Sequence, residues 1–141
     1  KYKEYANPHP VFHKGIVQNI SSGIITIDFN AKITFINTAA LRVVGYKFNE
    51  LINMPVRNLF AYPEEADQIL DELINKRKMF ESKEINLISQ ANKIIPIGFS
   101  TTLLEAPDSQ YQGVIISFRD LTNLINFRRA VPIGRMKSRT L

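Results

Sequence analysis

Residues 111–129, YQGVIISFRDLTNLINFRR, narrow the possible folds more than any other part of the chain. The first half alternates, with Val114, Ile116 and Phe118 on one side of an extended backbone and Ile115, Ser117 and Arg119 on the other. The second half changes period, and Leu121, Leu124 and Ile125 recur at helical spacing. Asp120 and Thr122, at the change, are residue types whose side-chain oxygens accept the free N–H groups at a helix start. The pattern predicts a strand with one buried face that runs straight into an outgoing helix. Such a junction suits mechanical output.

The chain upstream reads as the body attached to that junction. Residues 1–10 are polar, contain Pro8 and Pro10, and are expected to be extended or frayed. Val11, Phe12, Ile16 and Ile20 predict an amphipathic helix, weakened by Gly15, that covers a sheet or meets a second copy of the chain. Residues 24–28 and 33–36 read as a hairpin, with Asn30 the residue expected at positive φ in its turn. Asn37 is placed to cap a short helix over 38–44 that Gly45 ends. One more helical turn follows at 48–51, closed off by Asn53 and Pro55. Pro63 opens the clearest helix, predicted over 64–78, with Ala66, Ile69, Leu70, Leu73 and Ile74 as its apolar stripe. Acidic residues fill its first turn and Lys76, Arg77 and Lys78 its last, which suits the helix dipole. Three strands are predicted after it, over 79–89, 93–105 and 111–119, and Ile95, Ile97, Phe99, Thr101 and Leu103 share one face of the second. Two strands, three helical pieces and three strands imply an α+β domain: a five-stranded antiparallel sheet with helices on one face, an N-terminal helix and a C-terminal exit helix. The division expected is 1–10 flexible, 11–120 the domain, and 121–141 an exit helix and basic linker leading to an effector.

Composition limits the functions on offer. A chain of 141 residues suits one domain with one core. No apolar run approaches the roughly 20 residues of a membrane-spanning helix, so no membrane contact by this segment is expected. The first residue is not Met, which is read as the sign of a piece of a longer protein. There is no cysteine, which removes disulfides, thiolate metal sites and Cys nucleophiles and fits a cytoplasmic setting. Residues 1–120 carry 13 basic and 13 acidic side chains, so the net charge of +5 resides in Arg128, Arg129, Arg135, Lys137 and Arg139. A body without net charge is not expected to bind nucleic acid, and the basic tail reads first as a solvated linker.

The ordered motifs resemble those of PAS domains, sensor modules common in bacterial signalling proteins. The residues that carry the resemblance are 23–28 (GIITID), 33–40 (ITFINTAA), Gly45-Tyr46, Glu50-Leu51, and the end of the chain from Gly113 to Arg119-Asp120-Leu121-Thr122. The last group is similar to the family's D-[IL]-T signature. Two positions depart from the pattern: Ala31 and Asn53 stand where glycine is usual. The resemblance implies that Arg119, Asp120 and Thr122 couple the sheet to the outgoing helix. It also implies a homodimer through Val11, Phe12, Ile16, Leu121, Leu124 and Ile125, and an effector in the same chain, with a histidine kinase the first expectation.

Little points to bound chemistry. Covalently attached flavin in this family needs a cysteine, and a haem axial histidine comes from the longer helix, where this chain has none. Neither cofactor is expected, and no Trp or diagnostic residue supports free flavin. His9 and His13 have the spacing of two metal ligands on a helix, but Pro10 lies between them and no third ligand is evident, so no metal is expected. No catalytic constellation or phosphate loop is present, so the segment itself is not expected to be an enzyme. Phe35, Leu41, Tyr46, Leu59, Phe60, Ile69, Phe99 and Phe118 are candidates to line a pocket for a small apolar ligand, filling of the core being the plainer reading. Arg42 and Arg57 are candidates to meet an anion, with solvent the plainer reading. The function expected is a regulatory sensor and dimerisation module. The alternatives are an interaction module with a filled core, or a transcriptional regulator fragment with a nucleic-acid-binding tail.

Overall fold

Alternating β-branched residues build the first hairpin. Strand β1 (Gly23–Ile27) pairs antiparallel with β2 (Ile33–Ile36), with Ile25 opposite Ile36 and Thr26 opposite Phe35. The computed structural model describes residues 22–124, so the segment 1–10, the helix expected over 11–20 and most of the exit segment lie outside it. Helix α1 (Thr38–Val44) follows, begins at the Asn37 cap and ends at Gly45 with φ 77°. Helix α2 (Phe48–Leu51) and a 3-10 turn (Val56–Leu59) lead to α3 (Pro63–Leu70), which continues as a π-helical turn (Asp71–Asn75). Strands β3 (Lys83–Ile88), β4 (Ile94–Glu105) and β5 (Tyr111–Asp120) complete the domain.

The five strands form one antiparallel sheet in the order β2-β1-β5-β4-β3. The last strand is therefore the central one. Ile116 lies between Ile25 of β1 and Thr101 of β4, and Phe118 between Gly23 and Phe99. The face bearing Ile25, Ile27, Ile85, Leu87, Ile97, Phe99, Val114, Ile116 and Phe118 is buried. Ala40, Val44, Leu51, Val56, Leu59, Ile69 and Leu73 close over it from the helical side. Each full burial of an aliphatic or aromatic side chain contributes roughly 1.5–3 kcal/mol, so this layer is what holds the helices to the sheet.

The free edge of β3 is closed locally. The Asn86 carbonyl accepts the Ala61 N–H at 2.9 Å, and the Asn86 N–H donates to Glu65 Oε1 at 3.0 Å. Glu65 thus ties α3 to the sheet edge as well as filling an acidic first turn. At the other end of the helix the Arg77 guanidinium lies 3.7 Å from the Phe29 ring, over the β1–β2 turn.

Three expectations need correction. The helix predicted over 64–78 stops at Asn75, because its last turn widens to π geometry and Arg77 then takes φ 53°. The strand predicted from residue 79 begins at Lys83. Residues 80 and 82 are held to β4 partly by side chains: the Phe80 N–H donates to Thr101 Oγ1 at 2.8 Å while its carbonyl accepts the Thr101 N–H at 3.0 Å, and the Ser82 N–H donates to Ser100 Oγ at 3.1 Å. In the first hairpin the positive φ falls on Ala31, at 64°, and not on Asn30. Asp28 imposes this, since its Oδ1 accepts the N–H groups of both Asn30 and Lys32 and its carbonyl accepts that of Ala31. Asn53, at φ 70°, behaves as expected of a residue that tolerates this region. Because alanine pays a left-handed penalty at 31, Ala31→Gly is expected to raise stability by roughly 0.5–1 kcal/mol in urea unfolding. A loss of stability would show that the turn is unstrained.

Candidate functional site

The candidate pocket is nearly closed. Five of its eight candidate residues, Leu59, Phe60, Ile69, Phe99 and Phe118, do line one cavity in the core. Its volume is only about 20 Å³ and its wall is entirely apolar, room for about one water-sized body. The Phe80 and Phe99 rings, 5.5 Å apart, belong to the same layer. Phe35, Leu41 and Tyr46 are not part of the wall. Phe35 packs edge-on against Phe48 at 6.4 Å, and Leu41 and Tyr46 are half-buried at the margin of the core.

The strand–helix junction has a definite geometry. Asp120 Oδ1 accepts the Thr122 N–H at 2.8 Å and the Thr122 hydroxyl at 2.5 Å. Asp120 accepts at the helix start as expected, whereas the Thr122 hydroxyl donates to Asp120 and, among the described residues, no bond shows that hydroxyl accepting an N–H; residues 122–124 are helical. The Leu121 N–H donates to the Pro96 carbonyl at 2.8 Å, a main-chain tie between the junction and β4. Leu121 itself is 7% exposed and packs over Gly98. That packing removes it from the list of free dimer-contact candidates. Leu124, at 45% exposure, remains available. Val11, Phe12, Ile16 and Ile125 lie outside the described residues, as do His9, His13 and the basic tail. Arg119 is exposed on the opposite face of β5 from Phe118.

A polar cleft adjoins the junction. It is about 840 Å³, open to solvent, and runs between α1, the β3–β4 loop and residues 120–123. Arg42 and Lys93 supply its cations, Asp120 its carboxylate, Gln90 and Asn123 its amides, and Val43 and Ile95 its apolar wall. The sequence marks Arg42, Asp120 and Thr122 for other reasons but not the cleft they share with Gln90, Lys93 and Asn123, because it assembles from three separated segments. Arg57, the second candidate cation, is instead paired with Asp67 on the surface. Among the described residues no cluster of three metal-ligating side chains occurs, and no helix is long and apolar enough to cross a membrane.

A second polar centre was legible only as a helix cap. Asn37 is fully buried, and its Oδ1 accepts both the Ala40 N–H and the Ile24 N–H at 2.9 Å. Its Nδ2 donates to the Ser22 carbonyl at 2.9 Å. One amide therefore locks the start of α1 to the start of β1.

Comparison with known proteins agrees with this architecture. A family profile described as PAS domain matches residues 21–123. The chain is 27% identical over 107 residues to the signal transduction histidine-protein kinase AtoS of Escherichia coli (strain K12), a match over 76% of this chain and 17% of that protein's length. Among solved structures, the PAS domain of a protein from Colwellia psychrerythraea superposes with a TM-score of 0.69 at 19% identity, covering 80% of this chain and 97% of that one. A PAS domain from a two-component sensor histidine kinase gives a TM-score of 0.65 at 18% identity, covering 78% and 94%. At such identities these structures speak to the fold. The profile spans most of the chain, and with the five-stranded sheet and the D-L-T junction it supports one conclusion: the chain belongs to the PAS domain family.

Proposed function

We propose that this PAS domain is the regulatory module of a larger cytoplasmic signalling protein, passing a change through β5 and Asp120-Leu121-Thr122 to an effector in the same chain. The relative named a histidine kinase favours a kinase effector. In this reading the module regulates, catalysis belongs to the effector, and two copies meet through the 11–20 segment, Leu124 and Ile125. The observation that carries it is the position of the junction. The strand that leads out is the central strand, bonded to β1 on one side and β4 on the other, which supports a path from both halves of the sheet to Asp120. In the full-length protein, Asp120→Ala is expected to abolish the difference between resting and stimulated output while the domain stays folded. A response equal to wild type would refute the relay.

The near-closed core favours a second reading, an interaction module that senses nothing through its interior. A core ligand would raise the melting temperature with its concentration. A melting temperature unmoved by small apolar compounds would favour the second reading.

A further inference from the structure

The cleft beside the junction has a lining suited to a small ligand. It is open to solvent, with a volume of about 840 Å³, whereas the core cavity is about 20 Å³. Two cations face it, Arg42 from α1 and Lys93 from the loop before β4. Neither is in an ion pair among the described residues, whereas Arg57, Lys76 and Lys78 each have a carboxylate partner. One carboxylate, Asp120, also lines the cleft, and its Oδ1 accepts from the Thr122 N–H and hydroxyl, which leaves the two cations in excess. Val43 and Ile95 add an apolar wall, and Gln90 and Asn123 add neutral donors and acceptors. The flanking segments of the chain do not complement this charge. Residues 1–21 hold three lysines and one glutamate, and residues 125–141 hold five cations and no carboxylate.

We propose that this cleft binds a small organic anion. Its anionic head sits between Arg42 and Lys93, its apolar body lies against Val43 and Ile95, and its polar atoms meet Gln90 and Asn123. The shared chemistry of the head is a carboxylate or a phosphomonoester. Arg42 suits either, because its planar fork matches two anionic oxygens at once. A ligand held here meets the lining residues Asp120 and Asn123 and so reaches the exit segment from the surface, without opening the core. That consequence rests on the relay proposed above; the binding itself does not.

The test uses the chain alone, with amide NMR at constant ionic strength. Benzoate and phenyl phosphate are the probes, and benzyl alcohol is the neutral control with the same ring. Saturable shifts are expected at Gly45, Gln90 and Asn123 with one or both anions and not with the alcohol. Arg42→Gln combined with Lys93→Gln changes two exposed side chains, so the fold should survive, and affinity should fall at least tenfold. A response to benzoate alone or phenyl phosphate alone assigns the head as carboxylate or phosphate. The proposal is overturned if neither anion gives a saturable shift, if the alcohol acts equally, or if the double variant binds as wild type does. Because binding is read in the isolated chain, its failure is distinct from a failure of the relay in the full-length protein.

Discussion

Gly113→Val is expected to abolish cooperative folding, or to lower stability by about 3 kcal/mol or more. Gly113 lies in β5 where the strand passes closest to the end of β1. A Cβ built there overlaps the Ile27 carbonyl oxygen and approaches Ile27 C at 3.1 Å and Asp28 Cα at 3.3 Å. All three atoms are backbone and cannot rotate away. The side chain would have to push β1 off β5 at the register pair Ile27–Val114, and with it the hairpin that carries β2. Gly98→Ala is the control within the same sheet. Its added Cβ would lie 3.5 Å from Leu121 Cδ1, an ordinary contact with a side chain, so its effect should stay within about 1 kcal/mol. Urea unfolding followed by circular dichroism compares the two. Equal stabilities would show that the β1–β5 approach has slack the structure does not display.

Asn37→Ala should cost about 3 kcal/mol, well above the ~1 kcal/mol of an exposed helix cap. The excess comes from burial. Removing the amide leaves the Ile24 and Ala40 N–H groups and the Ser22 carbonyl without that partner, at a fully buried side chain that water does not reach. Thermal or urea unfolding measures this directly, and a loss below about 1 kcal/mol would mean that Asn37 acts only as a local cap.

These two residues show what could be read from sequence and what could not. The strands and the caps were legible because period-two and period-3.6 patterns are local, and Ile33–Ile36, Thr38–Val44 and Phe48–Leu51 fall where they were expected. Asn37 was legible as a cap for the same reason. Its second role, bonding β1, depends on a residue 13 positions away and left no local trace. The end of the longer helix was misplaced because Asn75-Lys76-Arg77-Lys78 keep helical charge order while the backbone widens into a π turn. The start of β3 was misplaced because Met79 and Phe80 look like strand residues, yet both are anchored at one residue of β4, Thr101, that only the fold brings near. The pocket candidates were chosen for being large and apolar. That property cannot separate a residue that lines a space from one that fills it, and Phe35, Leu41 and Tyr46 turned out to lie outside the wall. The polar cleft was invisible because it joins residues 42–45, 89–95 and 120–123. Of its residues Arg42 carried a signal as a candidate to meet an anion, and Asp120 and Thr122 as the junction, but nothing local joined them.

The central claim, proposed above, is that the Asp120-Leu121-Thr122 junction couples the exit segment to the central strand, with Asp120 ordering its first turn. Hydrogen exchange of the chain carrying Asp120→Ala tests it most directly. Loss of a cap worth ~1 kcal/mol predicts a five- to tenfold faster exchange at the Leu121 and Thr122 amides. The Ile25 and Ile116 amides, deep in the β1–β5 pairing, should keep their wild-type rates. Unchanged exchange at the junction, or equal acceleration across the whole sheet, would contradict the account.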